Sequence, residues 1–159
     1  MSCYELLDSG KIFINKGIST YIDFTDLTSI GPEDVESQVD VTKAFVPIFN
    51  DRLAEVKQAA FTTCKMSKFK FSDSLTSIED TAFAECMGLP AMALSHIKAV
   101  GYAAFQGSDV PYAEFGQTVE SIGPFAFADC RKLSAVVFTN DIHSIGKNAF
   151  PSTTSAYFT

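Results

Sequence analysis

The chain has 159 residues, 47% of them hydrophobic and 19% charged, which favours one packed domain over a disordered chain. A formal net charge of -7 argues against a nucleic-acid partner, because binding phosphates needs many Lys and Arg contacts. The sequence has neither a signal-peptide pattern nor an apolar run of about 18 residues, so we expect no membrane insertion and a cytoplasmic or leaderless protein, with a cell-surface or virion location left open.

The first third of the chain contains an imperfect copy of a pattern that becomes regular further on. The run from Leu27 to Gly31 matches the later blocks, and Val35 falls where later copies have a Phe. A strand at Ile48 and Phe49 would follow, with a short helix between Val39 and Phe45. The sequence therefore predicts a degenerate repeat over residues 24–52.

From residue 53 the pattern repeats regularly, with Ala-Phe pairs at spacings of 22, 22, 22 and 23 residues. Apolar residues precede each Phe by five and eight positions, and a small residue follows it by three. The Phe residues are Phe61, Phe83, Phe105, Phe127 and Phe150; the apolar positions are Val56, Ile78, Val100, Ile122 and Ile145, then Leu53, Leu75, Ile97, Val119 and Ile142; the small residues are Cys64, Cys86, Ser108, Cys130 and Thr153. Such a period predicts a solenoid whose repeats stack to bury their apolar residues, with regular repeats over residues 53–150.

Two further features recur within these repeats. Gly101, Gly123 and Gly146 directly follow the branched apolar residue, where we predict that a backbone without a Cβ turns sharply. Alternating apolar residues after each Phe predict one strand per repeat. The residues of these strands are Met66, Phe69 and Phe71; Leu89, Met92 and Leu94; Val110, Ala113 and Phe115; Leu133, Val136 and Phe138.

The ends of such an array need covering, because stacked strands leave unpaired edges there. Residues 1–23 are predicted to form an N-terminal cap. Residues 151–159 are predicted to form a C-terminal stub that is too short for a cap, so we expect that the solenoid ends could support self-association.

These residues resemble the BspA-type leucine-rich repeat, whose unit of about 23 residues reads roughly Leu-x-x-Ile-Gly-x-x-Ala-Phe-x-x-Cys-x-x-Leu. The match is close from Leu75 to Leu89 and from Val119 to Leu133. The resemblance implies a right-handed leucine-rich-repeat solenoid of the α/β horseshoe-like class over residues 24–159, and we expect the solenoid and its cap to form a single domain overall. It implies about six repeats of short parallel strands, turns and short 3-10 or helical segments, and an interaction role without catalytic residues.

Outward side chains of the predicted strands form the candidate partner-binding surface. Strand alternation directs Lys68 and Lys70 outward while Phe69 and Phe71 point inward. Tyr112 is the expected anchor, because aromatic residues are enriched in binding hot spots. The predicted surface consists of Lys68, Lys70, Ala93, Tyr112, Glu114 and Val137. For the lysines we favour a solvated strand face, and the alternative is a contact with an acidic partner.

Other reactive side chains predict no catalytic, cofactor-binding or metal site. Cys64 and Cys86 lie one turn apart and could reach disulfide distance, but Ser and Thr in the same column favour buried thiols used as small fillers. His96 and His143 are isolated, so we interpret them as surface residues rather than zinc ligands.

Two functional classes remain from the sequence. We favour a non-catalytic, adhesin-like module that binds a protein partner. The alternative is a structural subunit of a virion or another multi-chain particle, locked in place by its ends.

Overall fold

The computed structural model describes residues 5–6, 12–13, 15–16 and 19–159, with side chains described from residue 20 onward. The strands are β1 (Glu5–Leu6), β2 (Ile12–Phe13), β3 (Asn15–Lys16), β4 (Ser19–Asp23), β5 (Ser29–Ile30), β6 (Ala44–Ile48), β7 (Glu55–Val56), β8 (Lys65–Met66), β9 (Ser77–Ile78), β10 (Met92–Leu94), β11 (Ala99–Val100), β12 (Tyr112–Phe115), β13 (Ser121–Ile122), β14 (Ala135–Phe138), β15 (Ser144–Ile145) and β16 (Ser155–Phe158). A five-residue helix, α1 (Pro32–Glu36), follows β5.

Parallel strands stack along two sides of the molecule. One side is a sheet of six two-residue strands in the order β15-β13-β11-β9-β7-β5, one from each turn. The other side is divided between a sheet β3-β4-β6-β8, in which β3 is antiparallel to β4, and a parallel sheet β10-β12-β14-β16. This arrangement confirms the predicted leucine-rich-repeat solenoid of about six turns.

The predicted cap and stub can be located only in part. Most of residues 1–23, predicted as the cap, lie outside the described residues. Within that segment β1 and β2 pair antiparallel, and β4 joins β6 in parallel. The segment predicted as a C-terminal stub contains β16, which pairs in parallel with β14.

The periodic Phe residues form one column through the centre of the solenoid. Phe61, Phe83, Phe105 and Phe127 are all 0% exposed. Neighbouring rings stack with centroids 4.8–5.4 Å apart, from Phe61 to Phe150. The backbone N–H groups of Phe61, Phe83, Phe105 and Phe127 each donate to a carbonyl of the next turn, as from Phe105 to Ala126 at 2.7 Å. The repeat is therefore fixed by ring stacking inside and by hydrogen bonds between turns.

A second aromatic column runs beside the first. The rings of Phe115, Phe138 and Phe158, which end β12, β14 and β16, stack with centroids 5.2 Å apart. Phe24, Phe49 and Phe71 form the corresponding series in the early turns. Leu94 occupies the position between the two series, because it pairs in register with Phe115. Several of these residues fall in predicted strands, but their spacing is too irregular to predict the column.

Several local predictions were wrong. Phe49 follows β6, and Leu89, Val110 and Leu133 precede β10, β12 and β14, so these four residues lie outside the strands predicted to contain them. The helix in the degenerate repeat lies at Pro32–Glu36, where Pro32 and the Asp34 carboxylate stabilise its start, whereas Val39–Phe45 contains a turn and the beginning of β6. Residues 67–71 are not a strand, because β8 ends at Met66 and Lys68 has a left-handed φ of 58°. Thr153 is exposed, although the corresponding small residues of earlier turns are buried.

The repeat glycines serve another purpose than the predicted sharp turn. Gly101, Gly123 and Gly146 are not among the residues with positive φ. A Cβ added at Gly123 would lie 2.7 Å from the carbonyl carbon of Gly101, so glycine allows the backbones of stacked turns to approach each other. The left-handed positions that recur from repeat to repeat instead lie two residues before and two residues after the Phe. They are Ala59, Thr81, Ala103, Phe125 and Asn148 before it, and Thr63, Glu85, Gly107 and Asp129 after it.

Candidate interaction surface

The outer side of the sheet β10-β12-β14-β16 forms the strand face, which we define as Ala93, Tyr112, Glu114, Ala135, Val137 and Tyr157. The parallel registers align Ala93 with Glu114, Glu114 with Val137, and Val137 with Tyr157. Tyr112 aligns with Ala135 in a neighbouring file. Four residues of the predicted surface, namely Ala93, Tyr112, Glu114 and Val137, are thus neighbours on one sheet.

Exposure varies along the file of the strand face. Ala93 and Glu114 are exposed, and Val137 is half-buried between its two neighbours in the file. Tyr157, which the sequence analysis did not assign to this surface, is 54% exposed. Its register with Val137 could not be predicted, because β16 begins only five residues after Phe150 whereas β14 begins eight after Phe127.

Tyr112 and Glu114 interact directly on this face. The Tyr112 hydroxyl donates to a Glu114 carboxylate oxygen at 3.2 Å. Partial desolvation and the adjacent carboxylate of Glu114 raise the pKa of Tyr112 above its ordinary value. The pair offers an aromatic ring and an acceptor to a partner at neutral pH.

Lys68 and Lys70 lie apart from the strand face. Both side chains are exposed and Phe69 and Phe71 are buried, as the alternation predicted. However, both lysines follow β8, which pairs with β6. An isolated bridge between Lys65 and Met87 connects β8 to the next turn. The structure does not bring the two lysines into one sheet with Tyr112.

The cysteine column is buried and chemically quiet. Cys64, Cys86 and Cys130 are free thiols, which agrees with their interpretation as small fillers. Burial raises the pKa of Cys64 and of Cys130 to about 11 and raises that of Cys86 further. The Cys86 thiol donates to the Phe61 carbonyl at 2.7 Å. Among the described residues, no three His, Cys, Asp or Glu side chains come together as at a metal site.

Asp109 is a buried acid that the sequence analysis missed. Its carboxylate accepts backbone N–H bonds from Gly88 and Leu89, both at 2.9 Å, and a bond from the Lys132 ammonium at 3.1 Å. Burial desolvates the carboxylate, but these bonds outweigh that effect and hold the pKa of Asp109 below its ordinary value. It borders an open depression of about 790 Å³. The other regular repeats have Lys65, Met87, Arg131 and Thr154 at this position, so the period gave no signal.

The comparisons with known proteins agree with the geometry. A family model described as the BspA type leucine rich repeat region matches residues 49–159 in six copies. No curated protein and no solved structure matches the chain. No helix in the described part of the chain is long and apolar enough to cross a membrane.

Proposed function

The chain belongs to the BspA-type leucine-rich-repeat family, and we propose that it is a non-catalytic, adhesin-like module that binds a protein partner through its strand face. The observation that carries this proposal is the parallel register from β10 to β16, which holds Ala93, Glu114, Val137 and Tyr157 in one file. A file fixed by backbone hydrogen bonds is preorganised, so a partner loses little free energy to ordering it.

The chemistry of the strand face suits a protein partner. Tyr112 and Tyr157 provide amphipathic rings, Ala93 and Val137 provide flat apolar area, and Glu114 provides a charge that fixes orientation. The exposed Lys68 and Lys70 would extend the contact only for a partner large enough to cover the earlier turns as well.

The proposal is tested by quantitative affinity capture with the full chain as bait. We expect a protein that is retained by the wild type to be lost, by about tenfold or more, with Tyr112→Ala and with Ala93→Arg. Lys147→Ala, an exposed substitution away from the strand face, is the matched control and should retain the partner. Equal recovery with all four baits, or no saturable partner for the wild type, would contradict the proposal.

A structural subunit is the second candidate, and exposed apolar residues favour it. Ile145, Tyr157 and Phe158 lie on β15 and β16 and are 44%, 54% and 62% exposed. Apolar residues on sheet edges can pair with another chain, which supports the proposal of self-association through the solenoid ends. Light scattering on the purified full chain used as bait separates the two candidates. Particle assembly predicts a molar mass that rises with protein concentration, whereas a monomeric binding module predicts a constant one.

A further inference from the structure

A second surface lies at the corner that precedes the Phe column, and we propose that it binds an extended, proline-rich peptide segment that carries an arginine. We define this surface, the aromatic corner, as Glu79, Asp80, Tyr102, Pro124 and Phe125. None of these residues belongs to the strand face, so the inference goes beyond the proposed function.

The aromatic corner exposes rings that the repeat does not require. Tyr102 is 49% exposed, and its ring meets the ring of Phe125 edge to face with centroids 5.9 Å apart. Pro124, which precedes Phe125 in the same turn, is also exposed. The residues at the position of Tyr102 and Pro124 in the other regular turns are Gln58, Asp80 and Lys147.

The backbone conformation at position 125 is unfavourable for a Phe side chain. Its φ is 58°, in the left-handed region that bulky side chains avoid. The same position in the other turns carries the smaller residues Ala59, Thr81, Ala103 and Asn148. Its ring is half-buried and packs against Tyr102 instead of joining the hydrophobic core cluster. A strained residue with a partly exposed ring fits a role in binding better than a role in stability.

Acidic groups lie next to the rings and select the charge of the ligand. Glu79 and Asp80 border a groove of about 260 Å³ beside Gly101 that is lined by no Lys or Arg. The Glu79 carboxylate accepts a hydrogen bond from the backbone N–H of Gln58 at 2.9 Å, and the Asp80 carboxylate accepts one from the backbone N–H of Tyr102 at 2.8 Å. These bonds fix both carboxylates, and within the described residues neither forms a salt bridge.

An arginine satisfies this arrangement better than a lysine. Its planar guanidinium can bond a carboxylate through two N–H groups and stack on an aromatic face at the same time. The groove beside Asp80 and the ring of Tyr102 on the next turn offer both interactions. An acidic or neutral peptide would leave the two carboxylates without a cation.

The spacing of the aromatic corner fits a polyproline II ligand. Asp80 and Pro124 lie two turns apart, which corresponds to about 9–10 Å between stacked strands. Residues i and i+3 of a polyproline II helix lie about 9 Å apart on one side of the ligand. An arginine at i can therefore reach the acidic groove while a proline at i+3 packs on Pro124 and Phe125, as in other aromatic-lined grooves.

The test measures binding of a fluorescein-labelled peptide, Arg-Pro-Leu-Pro-Pro-Leu-Pro, by fluorescence anisotropy. We expect saturable binding to the wild type, weaker by about tenfold with Tyr102→Ala or Phe125→Asn and by a smaller factor with Glu79→Gln. A peptide with Glu in place of Arg should bind about tenfold more weakly or not at all. Tyr112→Ala is the control and should bind as the wild type does, which separates this surface from the strand face.

Phe125→Asn provides the sharpest readout. Because Asn adopts left-handed φ readily, we expect its thermal midpoint to equal or exceed that of the wild type while peptide binding falls. A purely structural Phe125 would instead lower the midpoint. The proposal is overturned if the wild type shows no binding up to about 1 mM peptide, or if Phe125→Asn binds the peptide unchanged.

Discussion

At the scale of single residues, Asp109 is the polar group on which the corner between the second and third regular turns depends. Its side chain is 10% exposed and accepts two backbone N–H bonds and one from Lys132. Asp109→Asn cannot accept both N–H bonds, because one oxygen becomes an NH₂ donor. We expect it to lower the free energy of unfolding by about 2 kcal/mol at pH 7.

The effect of Asp109→Asn should depend on pH in a defined direction. The folded pKa of Asp109 lies below the ordinary value of 3.8, so its stabilisation is complete above that value and is lost as the pH falls through the folded pKa. Urea unfolding from pH 7 down to about pH 3 should show the difference from wild type shrinking. Asp129→Asn, an exposed neighbour, is the control. A difference that stays constant with pH would contradict a role for the charge.

At the scale of the element, the turn glycines test how closely the stacked backbones approach. Gly31 and Gly123 occupy the same place in their repeats. An added Cβ at Gly123 would meet backbone atoms of Gly101 and Tyr102 at 2.7–2.8 Å, whereas at Gly31 it would meet the flexible carboxylate of Glu33 at 2.8 Å. We expect Gly123→Ala to cost about 1–3 kcal/mol and Gly31→Ala less than about 0.5 kcal/mol in urea unfolding. Equal losses would contradict this reading of the glycines.

Elements differ in how far the sequence predicts them, and the cause is physical. The Phe column was predictable, because every turn buries the same ring at a nearly constant spacing. The segment after Phe61 was not, since Phe69 and Phe71 alternate in burial as a strand would while Lys68 takes a left-handed backbone that ends pairing. The alternation of apolar and polar residues predicts which side chains are buried, but it does not predict whether the backbone forms hydrogen bonds with a neighbouring strand.

The candidate surfaces also contain some features that the sequence predicts and others that it does not. The placement of Tyr112, Glu114 and Val137 on one face followed from alternation and the period, and the registers put all three on neighbouring strands of one sheet. The partners of Asp109 and the pairing of Tyr102 with Phe125 depend on contacts across turns at positions where the repeats differ. A periodic pattern carries no information about such positions.

At the scale of the whole molecule, stability should be shared along the array. Each ring of the Phe column stacks on its neighbours in the turns before and after it, and each turn donates hydrogen bonds to the next. Repeats that contact only their neighbours lose stability together when an interior interface is weakened. Both proposed binding surfaces depend on this shared stack.

Hydrogen exchange of the Phe83, Phe105 and Phe127 amides in wild type and Phe105→Ala tests the stacked column most directly. In the wild type these amides should be among the slowest to exchange, because they donate to the next turn at 2.7 Å. Phe105→Ala should cost about 3–5 kcal/mol and reduce protection in all three turns together. Amides of these residues that exchange as fast as exposed loops, or a loss confined to the turn of Phe105, would contradict the account.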